Sequence, residues 1–210
     1  MKMDTITEIQ LVRQNALNEA TERYVWSSWW DLKTHAKIEK MTFDQIADSV
    51  NPQAFDLLAD LKSRCDFEYI YQVNPIHNAK NKSLIIFLIP LKNGGFISGG
   101  ACDNDLNSSI SRGIAELYRH GLAWERAKKE SLIPQTFYEQ RLLFFASGCG
   151  DKLVYETLAK SSTSETHIEL PSLRLDSLVS HKFSDLYLCY RCLYHNQPPF
   201  GDGDLERLCL

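Results

Sequence analysis

The chain has 210 residues, 44% of them hydrophobic, and its 27 Asp and Glu against 23 Lys and Arg give a formal net charge of −4. That length and apolar content suffice for a sizeable core, and nothing in the mildly acidic balance points to a nucleic-acid partner. No apolar run nears the roughly 20 residues a membrane-spanning helix needs, and Met1-Lys-Met-Asp-Thr5 lacks the apolar core of a secretory signal, so a cytoplasmic protein with reduced thiols and no membrane partner is expected.

A helix is expected from about Thr7, where Thr7 and Gln10 are spaced as a capping box, through the Trp-rich stretch Trp26 to Trp30, which reads as a core anchor rather than a base-stacking platform. Asp44 to Lys62 reads as two short helices divided at Asn51-Pro52. Phe67 to Val73 and Ser83 to Leu91 read as strands, the second so apolar that it belongs at a sheet centre. Asn93-Gly94-Gly95 signals a hairpin into Phe96-Ile-Ser98. The segment Gly99 to Asp105 reads as a loop that leads into a second long helix, its amides within reach of phosphate at the helix N-terminus and its two aspartates, which argue against direct phosphate contact, as metal-adjacent groups or caps, with capping carrying more weight.

Beyond Lys129, a helix is expected within Pro134 to Ser147 and another over Asp151 to Lys160, followed by a polar linker at Ser161 to Thr166, a last strand over Leu186 to Tyr194, and turn material from Pro198 to Asp204. The sum is a mixed α+β chain, read as one domain over residues 1–210 with halves of about 1–80 and 81–210. Of the six cysteines, only Cys189 and Cys192 have metal- or redox-like spacing, and residues three apart on a strand face opposite sides. His35, His77, His167, His181 and His195 form no ligand spacing and read as surface or satisfied side chains.

Two of the predicted helices share one design. Asn15, Glu19, Glu22 and Arg23 fall at i, i+4, i+7 and i+8, and Ser109, Arg112, Glu116 and His120 at i, i+3, i+7 and i+11, so each set forms a polar stripe. Ile110, Ile114 and Leu117 lie largely on the other side of the second helix, and Ile9, Val12, Ala16 and Ala20 form an apolar lane on the first. Magnesium takes oxygen ligands, often a few carboxylates completed by substrate phosphates and water, and Glu19, Glu22 and Glu116 are candidates for that role. Arg23 and Arg112 suit phosphate oxygens, while Asn15 and Ser109 offer neutral hydrogen bonds. The plainer alternative is two solvated faces with ordinary helix ion pairs, of which Glu19 and Arg23 would be a good one; on the residue physics alone it carries more weight.

The order Glu19-x-x-Glu22-Arg23-Tyr24 after an amide at Asn15, then Ser109, Glu116 and a polar side chain at His120, with an apolar strand and Gly-rich turn between, resembles the YcaO family from about Glu8 to Arg207. The resemblance implies ATP- and magnesium-dependent activation of a peptide backbone amide, in cyclodehydration or thioamidation of a ribosomal precursor peptide. Glu19, Glu22 and Glu116 then stand at metal positions, and Asn15, Arg23, Ser109, Arg112 and His120 at or near nucleotide positions. It implies a YcaO-like architecture in which pseudo-duplicated helix-plus-strand halves share a sheet; superposing Glu19 on Glu116 also superposes Arg23 on His120 and Leu17 on Ile114.

Several positions depart from the family pattern. Asn15 stands where a Ser is usual and His120 where a Gln is usual, the histidine bringing a charge that changes near neutral pH. Trp124 and Lys128 stand where Glu and Arg are usual, with Glu125 and Lys129 one residue later. The chain reaches Asn15 early and closes on Asp204-Leu-Glu-Arg-Leu-Cys-Leu210 without a Pro-x-Pro-x-Pro tail, so a short or truncated member is expected. Two function classes follow: an ATP-dependent enzyme or enzyme subunit, and a non-catalytic scaffold or peptide-recognition partner. A partner protein that completes the site, and a homo-oligomer, are both compatible with either class.

Overall fold

Ser83–Pro90 organises the structure. In a computed structural model that describes residues 5–131, 133–179, 189–197 and 205–208, this stretch is strand β3 of a four-stranded antiparallel sheet ordered β1-β2-β3-β4, with β1 at Ala36–Thr42, β2 at Tyr69–Pro75 and β4 at Phe96–Asp103. Side chains alternate across a strand, and here both directions are apolar. Leu84, Ile86 and Leu88 point into a cluster with Val25, Trp26, Trp29 and Trp30 of helix α1 (Thr5–Leu32). Ile85, Phe87 and Ile89 point into a second cluster with Leu58 and Leu61 of α3 (Pro52–Cys65) and Ile110, Ile114 and Leu117 of α4 (Leu106–Glu130). All six strand side chains are nearly or fully buried, each contributing roughly 2 kcal/mol of transfer free energy. The sheet is therefore a middle layer between helices on both faces.

Short-range signals account for the junctions. Thr42 and Gln45 form the capping box of the short α2 (Phe43–Ala47), Asn51 caps α3 ahead of Pro52, Asp105 caps α4 by accepting from the Ser108 amide at 2.8 Å, and Thr136 and Glu139 box the start of α5 (Phe137–Ala146). The hairpin between β3 and β4 turns at Gly94 and Gly95, whose φ values of 89° and 97° lie in the left-handed region, and closes through Leu91 N–H to Gly95 O at 2.9 Å. After α6 (Asp151–Thr163), β5 (Leu173–Val179) and β6 (Cys189–Tyr194) form a separate two-stranded antiparallel sheet against α1, held by Arg13 with Asp176 and by Tyr194, whose hydroxyl meets Thr21 at 3.1 Å and whose ring meets Tyr24 at 5.5 Å.

Four expectations change. α1 is already helical at Thr5, so Thr7 and Gln10 lie inside the helix and cap nothing. Gly99 to Asp103 is the second part of β4 rather than a loop. β1 was not foreseen: its charged residues Lys37, Glu39 and Lys40 mask an edge strand, as edge strands require. The linker after α6 begins only past Thr163. Each half contributes two strands to the shared sheet, but the long helix precedes its strands in the first half and follows them in the second. His181, residues 186–188 of the last expected strand, the Pro198 to Asp204 turn and Cys209 lie outside the described residues.

The glycines of β4 belong to packing. A Cβ at Gly99 would stand 2.2 Å from the Leu117 backbone nitrogen of α4, and one at Gly100 would stand 2.6 Å from the Trp26 ring of α1. Alternation thus lets one helix approach each face of the same strand. At Gly113 the nearest contact is the Phe87 ring edge at 3.1 Å, where a side chain can give way and alanine gains helix propensity. Gly99→Ala is expected to cost about 3 kcal/mol in urea denaturation and Gly113→Ala less than about 1 kcal/mol; equal costs would show that close approach at β4 is not what Gly99 supplies.

Candidate functional site

β4 is an edge strand, and antiparallel pairing with β3 leaves alternate backbone groups on its outer side without a ladder partner. Both long helices send side chains to that side. Gly100 N–H donates to Glu116 Oε2 of α4 at 3.1 Å, and Cys102 N–H donates to Glu22 Oε2 of α1 at 3.0 Å. His120 Nδ1 donates to Ser98 O at 2.6 Å, and Arg112 donates to Cys102 O at 3.4 Å. Two residues of strand advance about 6.7 Å and four residues of helix about 6.0 Å, so the steps Arg112, Glu116, His120 keep pace with Cys102, Gly100, Ser98 as α4 runs back along β4.

The two carboxylates therefore hang from amides about 7 Å apart on one strand edge, one from each face of the sheet. Burial, then the charge of Glu116, pushes the Glu22 carboxyl up to about 8, against the lowering effect of the Cys102 amide and Arg112. Burial also raises Glu116, opposed by the Gly100 amide and by Arg119, Arg112 and Arg23. Arg23 belongs to α1 and Glu116 to α4, so the helices are electrostatically coupled across a cleft of about 820 Å³.

Asn15, Glu19, Glu22, Arg23, Arg112 and Glu116 all line that cleft. Ser109 and His120, expected beside a nucleotide, do not. Ser109 is fully buried and its hydroxyl donates to Ser83 O at 2.7 Å. His120 is 2% exposed, and burial holds its imidazole down to about 4, so it is neutral at physiological pH rather than poised to switch. Because Ser98 offers a carbonyl, the Nδ1 atom of His120 carries the proton. The three-carboxylate set is likewise not assembled: among the described residues no group of three or more His, Cys, Asp or Glu is placed to hold a metal ion. Glu19 instead pairs with Arg23 on the cleft wall. Glu125 and Lys129 pair with each other, and Glu125 with Arg64 of α3; neither Glu125 nor Lys129 lines the cleft.

Three cleft features escape the sequence reading. Arg119 lies one turn past Glu116, 3.4 Å from its carboxylate, and is readable in hindsight as i+3 from an acid. Asp103, at 3.0 Å from Arg112, holds that guanidinium at the strand edge while Asp105 does the capping. Cys189 and Tyr190 of β6 also face the cleft, a contact between distant parts of the chain that no local pattern announces.

The buried acid fixes the direction of a pH effect. Glu22 has a folded pKa above its unfolded value, so the stability its proton contributes is complete below about pH 4.5 and is lost as pH rises through about 8. Gln keeps the acceptor for Cys102 N–H without the charge. Glu22→Gln is therefore expected to raise the melting temperature by about 5 °C at pH 9 and to leave it little changed at pH 4; a lower melting temperature at pH 9 would mean that the charge supports the fold.

No family model matches the chain, and no curated protein matches it. Among solved structures, the E. coli microcin synthetase McbBCD complex contains a chain similar over 82% of this one, at 13% identity and a TM-score of 0.48. The chain spans 42% of the length of that matched chain.

Proposed function

We propose that the cleft binds magnesium and ATP and that the protein takes part in activating a peptide backbone amide, the chemistry that the resemblance to the YcaO family implies. One observation carries this reading: two desolvated carboxylates from separate helices are fixed to neighbouring amides of one strand edge and ringed by Arg23, Arg112 and Arg119. The residues fit the ligands. An all-oxygen donor set suits a hard divalent ion, and such an ion would relieve the burial and repulsion that raise both carboxyl groups. Guanidinium forks suit phosphate oxygens.

Glu22 and Glu116 would hold the ion, while Glu19 stands on the cleft wall paired with Arg23; Arg23, Arg112 and Arg119 would neutralise phosphate, and Asn15 would add a neutral hydrogen bond. When bound, ATP supplies the phosphoryl group that turns an amide-derived oxygen into a leaving group. The chain's own part is positioning and charge: the Gly100 and Cys102 amides orient the two carboxylates, and Asp103 steadies Arg112. No side chain has to act as a nucleophile. A non-catalytic peptide-recognition scaffold is the second reading, favoured by the withdrawal of Ser109 and His120 into the packed interior and by the Glu19–Arg23 pairing.

Differential scanning of the full chain separates the two. Magnesium with ATP is expected to raise the melting temperature by about 5 °C at saturating ligand, neither component alone should do so, and Glu116→Gln or Arg112→Ala should remove most of the shift. A wild-type chain that melts at the same temperature with and without magnesium-ATP supports the scaffold.

A further inference from the structure

The helix face of α4 that carries Glu116 does not stop at the cleft. Past Glu116 and Arg119 it continues through Ala123 and Ala127, at i+7 and i+11, and these small residues floor a groove of about 540 Å³. Ile133 and Pro134, Tyr138 and Leu142 form its other wall. Ile133 is 78% exposed and Tyr138 43%, an unusual display of apolar surface for one short stretch.

The groove adjoins the charged cleft along α4, since Ala123 of the groove lies one helical turn past Arg119 of the cleft. The ring of Tyr138 packs on His120 at 5.7 Å, one turn beyond Glu116, and its hydroxyl lies within the fields of Glu116 and Arg119. Charges along the groove are already engaged: Arg126 with Glu130 at 3.1 Å, and Glu139 with the amides of Gln135 and Thr136 at 2.7 and 2.9 Å. What faces the occupant is mostly hydrocarbon, with the Tyr138 phenol, the polar side chains of Gln135 and Thr136, and charges that are already paired. A helix rise of about 1.5 Å per residue puts Ala123 about 10 Å and Ala127 about 16 Å beyond Glu116, the length of roughly three to five extended residues.

We propose that this groove is the peptide subsite of the cleft: it takes uncharged, apolar side chains standing about three to five extended residues from the amide that lies at Glu22 and Glu116. The proposal rests on the reading of the cleft as an amide-activating site. It names the substrate class as a peptide with a short apolar segment at that distance from the processed position. Adjacency to the charged cleft, one helical turn away on the same helix, is what favours a peptide over a second copy of the chain, because a peptide needs a polar site for its backbone at one end and an apolar bed for its side chains at the other.

The test uses the full chain and two fluorescein-labelled, C-terminally amidated peptides, Gly-Leu-Ile-Val-Gly and Gly-Glu-Lys-Glu-Gly. Fluorescence anisotropy should show binding of the first at least about tenfold tighter than the second. Ile133→Asp, at an exposed position, and Ala127→Trp, which fills the floor, should each weaken the apolar peptide about tenfold or more while the magnesium-ATP melting shift persists. Equal binding of both peptides, unchanged binding in both variants, or no peptide binding beside an intact magnesium-ATP shift overturns the groove proposal alone. A wild-type dimer that Ile133→Asp dissociates overturns it too, by giving the groove to a second copy. A missing magnesium-ATP shift with peptide discrimination intact overturns the nucleotide reading and leaves a peptide groove.

Discussion

Two amide hydrogens on the outer side of β4, those of Gly100 and Cys102, set the terms for the rest of the site. An edge strand must be covered or answered, since an unpaired buried N–H costs about 1–3 kcal/mol and an exposed edge invites pairing with other chains. This fold answers with carboxylates from α1 and α4. That solution is possible because glycine occupies both faces of the strand, Gly99 under α4 and Gly100 under α1, so that each helix comes close enough for a glutamate to reach around the edge. Local sequence, packing distance and site geometry are one constraint here.

The answer is electrostatically costly. Backbone amides would be satisfied by any acceptor, yet two ionisable acids stand where neutral amides would hydrogen-bond as well, and their burial raises both carboxyl groups. Structural economy alone does not select that arrangement; under the proposed function a bound cation would recover what desolvation takes. His120 shows the opposite use of burial. Its ring is held neutral against Ser98 O, and the stability associated with the neutral form is present above about pH 6.5 and lost as pH falls through about 4. Over the interval where both groups respond, the acid and the histidine pull stability in opposite directions.

Helical spacing made the direction of the polar stripes legible but not their depth. Asn15, Glu19, Glu22 and Arg23 share a wall of the cleft as their spacing implies, and β3 and the Asn93-Gly94-Gly95 turn follow from composition and turn chemistry. Ser109 and His120 lie on the α4 stripe too, yet its two ends pass under neighbouring backbone, where a polar group bonds Ser83 or Ser98 rather than a ligand. A wheel of residues cannot show where the next strand begins. Gly99 to Asp103 was hidden for a related reason: glycine is poor in strands by propensity, and only close approach of two helices makes it the residue that fits. β6 reaches the cleft from the far end of the chain, a distance that local periodicity does not span.

The position of Glu19 bears on how such a cleft can accept ligands. Its pair with Arg23 is solvent-exposed on both sides, and an exposed i,i+4 ion pair is held by only about 0.3–0.5 kcal/mol. Exchanging it for a cation on the carboxylate and an anion on the guanidinium costs little, whereas Glu22 and Glu116 are anchored by backbone amides that no ligand displaces cheaply. The cleft thus combines a rigid pair of acids, set by the strand edge, with an adjustable acid and base one helical turn away. Rigid groups fix where a metal would sit, and adjustable ones decide how closely the remaining charges follow it, so the separation of the pair from Glu19 is a consequence of which side chains the strand edge needed for itself.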